Sequence, residues 1–326
     1  MHYFITGGSG FIGSALVKRL LKDGNKVTVY DNNARGNVAR LPLKDLNLTC
    51  IEGDIRDVEK VIKSCKNATS FVHMAAINGT DNFYKHPELV LDVGIRGMLS
   101  AVEACRVNSI KEFILASSSE VYQSPTIIPT PEKVPLVIPD IENPRYSYGG
   151  SKIVSELILQ TYGRAGFDRV FTFRPHNVYG PDMGWKHVMP QFIQRAAELH
   201  KSIPRGVIPF KIFGDGTQTR SFIYIDDFID ALILLLRSGK HLDTYHIGTL
   251  EEVTIKDVAQ KIGNFFGRNI KIEPGDKILG ETARRCPDIT KIQGMGFAPK
   301  ISLDAGLEKT IGWYINNHPS KSDDIR

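Results

Sequence analysis

Apolar residues recur along the first half of the chain in a fixed rhythm. A short apolar run is followed by a longer stretch in which apolar positions return every three or four residues. The runs at 3–5, 26–30, 48–51, 70–73, 112–116 and 170–173 read as buried strands, and the stretches between them as amphipathic helices. Alternation of this kind predicts an α/β fold built on a doubly wound parallel sheet. The helical patches at 87–106 and 148–162 carry apolar stripes. Those stripes either pack on the sheet or form a dimer seam.

The rhythm breaks at 123–147, where prolines stand at positions 125, 129, 131, 135, 139 and 144. Proline fixes φ and removes a donor, so this segment is a stiff loop outside the sheet. After Arg174 the pattern is less regular. It shows a turn-rich segment at 175–181, a helix at 188–199, a short strand at 210–213 and a helix at 226–236 that returns to the first domain. Helices at 254–266 and 303–314 belong to a smaller lobe. The expected division is a dinucleotide-binding domain over 1–175 with 222–245 returning to it, and a substrate lobe over 176–221 and 246–326. A chain of 326 residues holds two such cores.

Composition narrows the partners. The formal charge of +5 is modest and its lysines and arginines are scattered, which argues against a nucleic-acid surface. No apolar run reaches the roughly 18 residues of a membrane span, and the chain starts directly in a strand, so the expectation is a soluble, cytoplasmic protein. Four cysteines far apart, with no C-x-x-C pair, predict neither a zinc site nor a disulfide framework but small buried hydrophobes. No metal site is expected.

The first strand runs into Thr6-Gly7-Gly8-Ser9-Gly10-Phe11-Ile12-Gly13 and then a helix. Glycines at 7, 10 and 13 allow a sharp turn and let backbone N–H groups approach a pyrophosphate at a helix N-terminus. The second strand ends at Asp31, 18 residues after Gly13, near the spacing of a ribose-binding acid. A carboxylate there accepts hydrogen bonds from a free ribose diol and repels a 2′-phosphate, which favours NAD. Arg35 leaves NADP open, because a folded-back loop would pair it with that phosphate.

The strand at 112–116 delivers Ser117-Ser118-Ser119-Glu120-Val121-Tyr122 at the sheet edge where open α/β folds bind ligands. Tyr148 and Lys152, spaced i, i+4 on a helix, project from one face. Bringing a phenol from its usual pKa near 10 to near 7 takes about 4 kcal/mol, whereas an exposed ion pair supplies only about 0–1. The pair therefore needs a shielded pocket, with Ser118 hydrogen-bonding the substrate oxygen that Tyr148 deprotonates.

With these residues in place, the chain resembles the extended short-chain dehydrogenase/reductases of the NAD-dependent nucleotide-sugar epimerase/dehydratase family over nearly its whole length. The resemblance includes Gly53-Asp54-Ile55-Arg56-Asp57, His73-Met74-Ala75-Ala76, Arg174-Pro175-His176-Asn177-Val178-Tyr179-Gly180-Pro181, Phe213-Gly214-Asp215-Gly216 through Arg220, and Arg285 with Pro287-Asp288-Ile289. It implies an NAD site of Gly7, Gly10, Phe11, Ile12, Gly13, Asp31, Asn32, Asp54, Ile55, Ala75, Ala76, Tyr148 and Lys152, with Asp54 against the adenine amino group. It implies Ser118, Tyr148 and Lys152 as catalytic residues, joined by Glu120. Ser119, Asn177, Arg220 and Arg285 are the implied substrate contacts, the arginines serving a nucleotide diphosphate. Two departures stand out: Gln123 where most relatives have glycine, and Gly94 where many have asparagine. His176 has no assigned role.

The shared first step of the family is oxidation at C4 of the sugar. A 4-epimerase asks least of the remaining residues and is the first choice. Glu120 stands where dehydratases and UDP-glucuronate decarboxylases have a glutamate, which keeps those reactions open. A catalytically silent dinucleotide sensor is the reading from another class. The expected partner is a nucleotide-sugar, and the expected assembly a homodimer.

Overall fold

In a computed structural model of the chain, residues 1–276, 280 and 282–317 are described, so the end of the expected C-terminal lobe, 318–326, lies outside the described residues. The chain forms two units, one of residues 1–123, 132–175 and 229–247, the other of 124–131, 176–228 and 248–326. Residues 124–131 and 222–228 thus cluster with the second unit.

The first unit runs β1 (His2–Thr6), α1 (Phe11–Lys22), β2 (Lys26–Asp31), β3 (Leu48–Glu52), α2 (Val58–Ser64), β4 (Ser70–His73), α3 (Thr80–Lys85), α4 (Pro87–Val107), β5 (Glu112–Ala116), α5 (Ser147–Tyr162) and β6 (Arg169–Pro175). A seventh strand, Asp243–Ile247, completes the sheet in the order seventh strand, β6, β5, β4, β1, β2, β3. Every pairing is parallel. The strand order reverses beside β1, where β4 lies on one side and β2 on the other, and this is the point at which such sheets bind nucleotides. The seventh strand was not among those expected from sequence. Its first residues are polar and only Tyr245, His246 and Ile247 are buried, so the apolar run is too short to stand out.

The sheet holds together through residues that share a register. Phe4, Phe71 and Phe113 are direct neighbours on β1, β4 and β5. Their rings lie 4.9 and 5.2 Å apart, the second pair stacked at 3°. All three are fully buried, and aromatic pairs add about 0.5–1.5 kcal/mol beyond their area burial. Helix α1 buries Leu16, Val17, Leu20 and Leu21 at helical spacing. Gly94 lies inside α4, where a Cβ would come 2.7 Å from that of Ser151 on α5. Its smallness serves the close approach of these two helices. Cys65, Cys105 and Cys286 are buried, whereas Cys50, on β3 at the sheet's edge, is exposed and corrects the expectation for that residue.

In the second unit, helix Ile255–Phe265 starts from a capping box of Thr254 and Asp257. Strand Ile208–Ile212 pairs with Ile270–Pro274, and Thr219–Ser221 is flanked by Glu252–Thr254 and Arg284–Arg285. Helices Val188–Ser202 and Leu303–Asn316 complete it. Among the described residues no helix is long and apolar enough to cross a membrane.

Candidate active site

The glycine-rich turn behaves differently at Gly7, Gly10 and Gly13. Gly7 has φ +73°, and a Cβ on it would meet the Ala75 amide nitrogen at 2.8 Å. A Cβ on Gly13 would lie 2.2 Å from the Gly7 carbonyl oxygen. These two positions are closed by the chain's own backbone. Gly10 is not, since its Cβ would meet only the Gly7 oxygen, at 3.3 Å. Gly10 also caps α1 without a side-chain hydrogen bond, and no acidic residue occupies the first turn. The orphan N–H groups and macrodipole of a twelve-residue helix thus meet an open cradle. These residues fit a dinucleotide pyrophosphate. Gly13→Ala is expected to cost about 1–3 kcal/mol by overpacking, and Gly10→Ala to leave stability nearly unchanged while weakening NAD binding. Denaturant titration and calorimetry check both, and equal destabilisation would count against an open cradle at Gly10.

Asp31 is fixed at the end of β2 by the amides of Ser9, 3.0 Å away, and Asn33, 2.9 Å away. Asn32 is exposed and its side-chain oxygen accepts from the Ala34 amide at 3.1 Å. Arg35 donates to the Asn78 carbonyl. Asp54 has a partner that sequence reading did not supply. Arg56 grips it from Nη2 at 2.6 Å and Nε at 2.9 Å, holding its carboxyl below the usual range, and reaches Asp92 at 2.8 Å. Ile55 is buried against α4, where a Cβ on Gly97 would meet it at 2.8 Å, so its side chain belongs to the core. The Ala75 amide donates to Thr6 Oγ1 at 3.2 Å, and Ala76 packs beside Phe83, Val90 and Tyr148. His73 Nδ1 lies 2.8 Å from Thr6 Oγ1, and burial first, then the Lys152 charge, brings its pKa down to about 3.

At the end of β5 the chain turns through Ser118, whose Oγ accepts the Glu120 amide at 3.1 Å and which acts on the Tyr148 phenol to lower its pKa. Ser119 is buried in that turn. Phe83 of α3 stacks on the Tyr148 ring at 5.2 Å and 12°, and Tyr148 is only 7% exposed. Burial pushes the phenol up to about 12, Ser118 opposes this, the Glu120 carboxylate adds to it and Arg35 lowers it. Lys152 is 4% exposed, donates to the Ala116 carbonyl at 2.8 Å and lies 5.8 Å from the Tyr148 ring centre. Burial lowers it to about 8, while Glu156 raises it. The shielded pocket that the phenol requires is therefore present, and the protein alone does not ionise it.

In the second unit, Asn177 adopts φ +40°, a conformation asparagine tolerates, and its amide donates to the Ser221 carbonyl at 3.1 Å. Arg220 and Arg285 lie on paired short strands as direct register partners. Register neighbours present their side chains to one face, where two like charges repel. Arg220 donates to the Thr219 carbonyl at 2.8 Å, and Arg285 to Thr282 Oγ1 at 3.0 Å.

Gly149 and Glu156 escaped the sequence reading, and the Gln123 departure finds its reason in the backbone. Gly149 lets α5 approach the turn after β5, since a Cβ there would lie 2.8 Å from the Glu120 carbonyl oxygen. Gln123 takes φ +51°, ψ −101°, which accounts for glycine suiting this position, and its side chain donates to the Glu120 carbonyl at 2.6 Å. Glu156, 6% exposed, stands one turn beyond Lys152 and binds Arg174 of β6 at 2.5 and 2.8 Å. Its spacing, i+8 from Tyr148, was a signal within reach.

The family model for the NAD dependent epimerase/dehydratase family matches residues 3–248. The chain is 30% identical to the UDP-N-acetyl-alpha-D-glucosaminuronate decarboxylase of Bacillus cytotoxicus over 320 residues, covering 95% of this chain and 96% of the relative. The crystal structure of UDP-glucose 4-epimerase from Thermotoga maritima with UDP-glucose superposes with a TM-score of 0.85 at 28% identity, covering 97% of this chain and 99% of that one. The dTDP-glucose 4,6-dehydratase of Streptomyces venezuelae, solved with NAD, gives a TM-score of 0.85 at 27% identity, covering 97% and 98%. With the glycine-rich turn, Asp31 and the buried tyrosine–lysine pair arranged as described, the chain is an NAD-dependent enzyme and belongs to the NAD-dependent epimerase/dehydratase family.

Proposed function

We propose that the chain is a nucleotide-sugar 4-epimerase working through transient oxidation at C4, with Ser118, Tyr148 and Lys152 as its catalytic residues. The observation that carries this reading is the buried Tyr148 phenol, stacked on Phe83 and lowered in pKa by Ser118, with Lys152 one helical turn on. Gly7, Gly10, Phe11, Ile12 and Gly13 hold the pyrophosphate through backbone N–H groups, Asp31 and Asn32 the ribose, and Asp54, Ile55, Ala75 and Ala76 line the rest of the cofactor site. When bound, NAD supplies a hydride acceptor and a positive ring beside the phenol. Tyr148 takes the proton of the C4 hydroxyl while Ser118 donates to the same oxygen. Lys152 stabilises the phenolate and orients the nicotinamide ribose. The resulting 4-keto sugar turns over in the site, and the proton returns from Tyr148 as C4 is reduced on its other face. Arg220, Arg285 and Asn177 bind the nucleotide diphosphate, for which forked donors side by side are suited, and Ser119 contacts the sugar.

One observation favours a second reading. Besides burial, the Glu120 carboxylate raises the pKa of the Tyr148 phenol, which supports a role for it as the extra base of a dehydratase or in a decarboxylase. Incubation with UDP-, GDP-, dTDP- and CDP-sugars, followed by mass spectrometry and proton NMR, decides. Unchanged mass with inverted stereochemistry at C4 supports the epimerase. Loss of water or of carbon dioxide assigns the other reactions, and no turnover of any sugar sinks the proposal.

We also propose a homodimer through α4 and α5. Leu91 and Leu99 on α4 and Leu157 on α5 are exposed although both helices pack on the sheet. The double variant Leu99→Glu, Leu157→Glu is expected to halve the mass seen by light scattering. An unchanged mass would place any seam elsewhere. The four unpaired cysteines suit a reducing compartment such as the cytoplasm.

A further inference from the structure

A buried polar cluster lies behind the catalytic pair, and the reaction as described makes no use of it. Helix α5 presents Tyr148, Lys152 and Glu156 at i, i+4 and i+8, so the three side chains form one row. Glu156 accepts from Ser117 Oγ at 2.5 Å, and Ser117 immediately precedes Ser118. Its carboxylate also takes both forks of Arg174, Nε at 2.8 Å and Nη2 at 2.5 Å. Arg174 continues to the Tyr122 hydroxyl and, at 2.9 Å, to the Glu132 carbonyl. Tyr122 lies 2.6 Å from His246 Nε2. The cluster thus links α5, the end of β5, β6 and the seventh strand.

Two features are more than a structural pair requires. A bidentate arginine already satisfies a buried carboxylate, yet Glu156 makes an additional short bond to the residue beside Ser118. It also stands one turn from a lysine that is itself buried, and a buried cation needs a counter-charge. The charged and titratable groups facing Lys152 are Tyr148 and Glu156 on α5 and His73 on β4. Of these, only Glu156 favours the lysine cation.

We propose that Glu156 is a positioning residue for the reaction: through Ser117 it fixes the strand end that carries Ser118, and along α5 it is the counter-charge of Lys152. This rests on the reading of Ser118, Tyr148 and Lys152 as catalytic, and it adds a residue that touches neither substrate nor cofactor. Removing the charge lowers the pH at which Lys152 loses its proton. Removing the Ser117 hydroxyl loosens Ser118 and leaves Lys152 alone.

The test uses the full chain labelled with 13C at lysine Cε, the Lys152 signal being assigned by its loss in Lys152→Arg. In the unaltered protein it is expected to titrate near pH 8, and in Glu156→Gln about one unit lower. An unmoved midpoint overturns the counter-charge. Ser117→Ala is expected to lower kcat by about tenfold with KM for the sugar nucleotide nearly constant, measured on whichever sugar the substrate panel shows to be turned over. An unchanged kcat overturns the positioning role. Should Glu156→Gln fail to fold, Glu156→Asp tests the counter-charge, an unmoved Lys152 midpoint overturning it, and Ser117→Ala tests the positioning role. Tyr148→Phe separates the two levels: if it remains active the catalytic reading itself fails, and if it is inert while the variants above behave like the unaltered protein, only the role of Glu156 falls.

Discussion

Tyr148→Phe is expected to lower kcat by about 10³-fold, the scale of a lost acid–base group. NAD affinity, read by calorimetry, should stay within a few-fold and the fold should remain intact. Burial pushes the phenol up to about 12, so reaching neutral pH takes about 7 kcal/mol at 1.36 per unit. Lys152 lies 5.8 Å from the ring centre and bonds to the Ala116 carbonyl, so it does not close that gap by contact. Ionisation is therefore expected to depend on bound cofactor. The phenolate absorbance near 295 nm, taken as the difference between the parent protein and Tyr148→Phe, should appear near neutral pH only with NAD present. Unchanged turnover in Tyr148→Phe, with NAD still bound, would instead support the dinucleotide sensor.

Arg174→Leu is expected to be the most destabilising single change, at about 3–5 kcal/mol. Arg174 is 4% exposed and Glu156 6%. Without the guanidinium, the Glu156 carboxylate stays buried with Ser117 but with no cation on that side. The double change Arg174→Leu, Glu156→Leu removes the stranded charge and should recover part of the loss, because a buried ion pair replaced by apolar groups is often nearly neutral. It should not recover activity, since Ser117 and Lys152 both lose their partner. Urea denaturation reads the stability of each protein. A loss below about 1 kcal/mol in Arg174→Leu would mean that the charge is relieved by rearrangement or water.

Local order was legible in the chain because it depends on neighbours in sequence. The strands of the first unit up to β6, the glycine-rich turn and the i, i+4 placement of Tyr148 and Lys152 all follow from periodicity and φ preferences. The resemblance of the motifs to a known family supplied the cofactor and the reaction class, which periodicity does not carry. Four features needed the tertiary structure. The seventh strand is a short run made a strand by pairing with β6. Arg220 and Arg285, 65 positions apart, become neighbours only through strand register. Asp54 is gripped by Arg56, which the motif named but did not place. Glu156 is one of many exposed-looking glutamates in the sequence until α5 seats it against Ser117 and Arg174. Sequence specifies what lies within a turn or a strand of itself. Register, burial and the partner of a buried charge depend on which distant segments pack together, and these the folded chain alone decides.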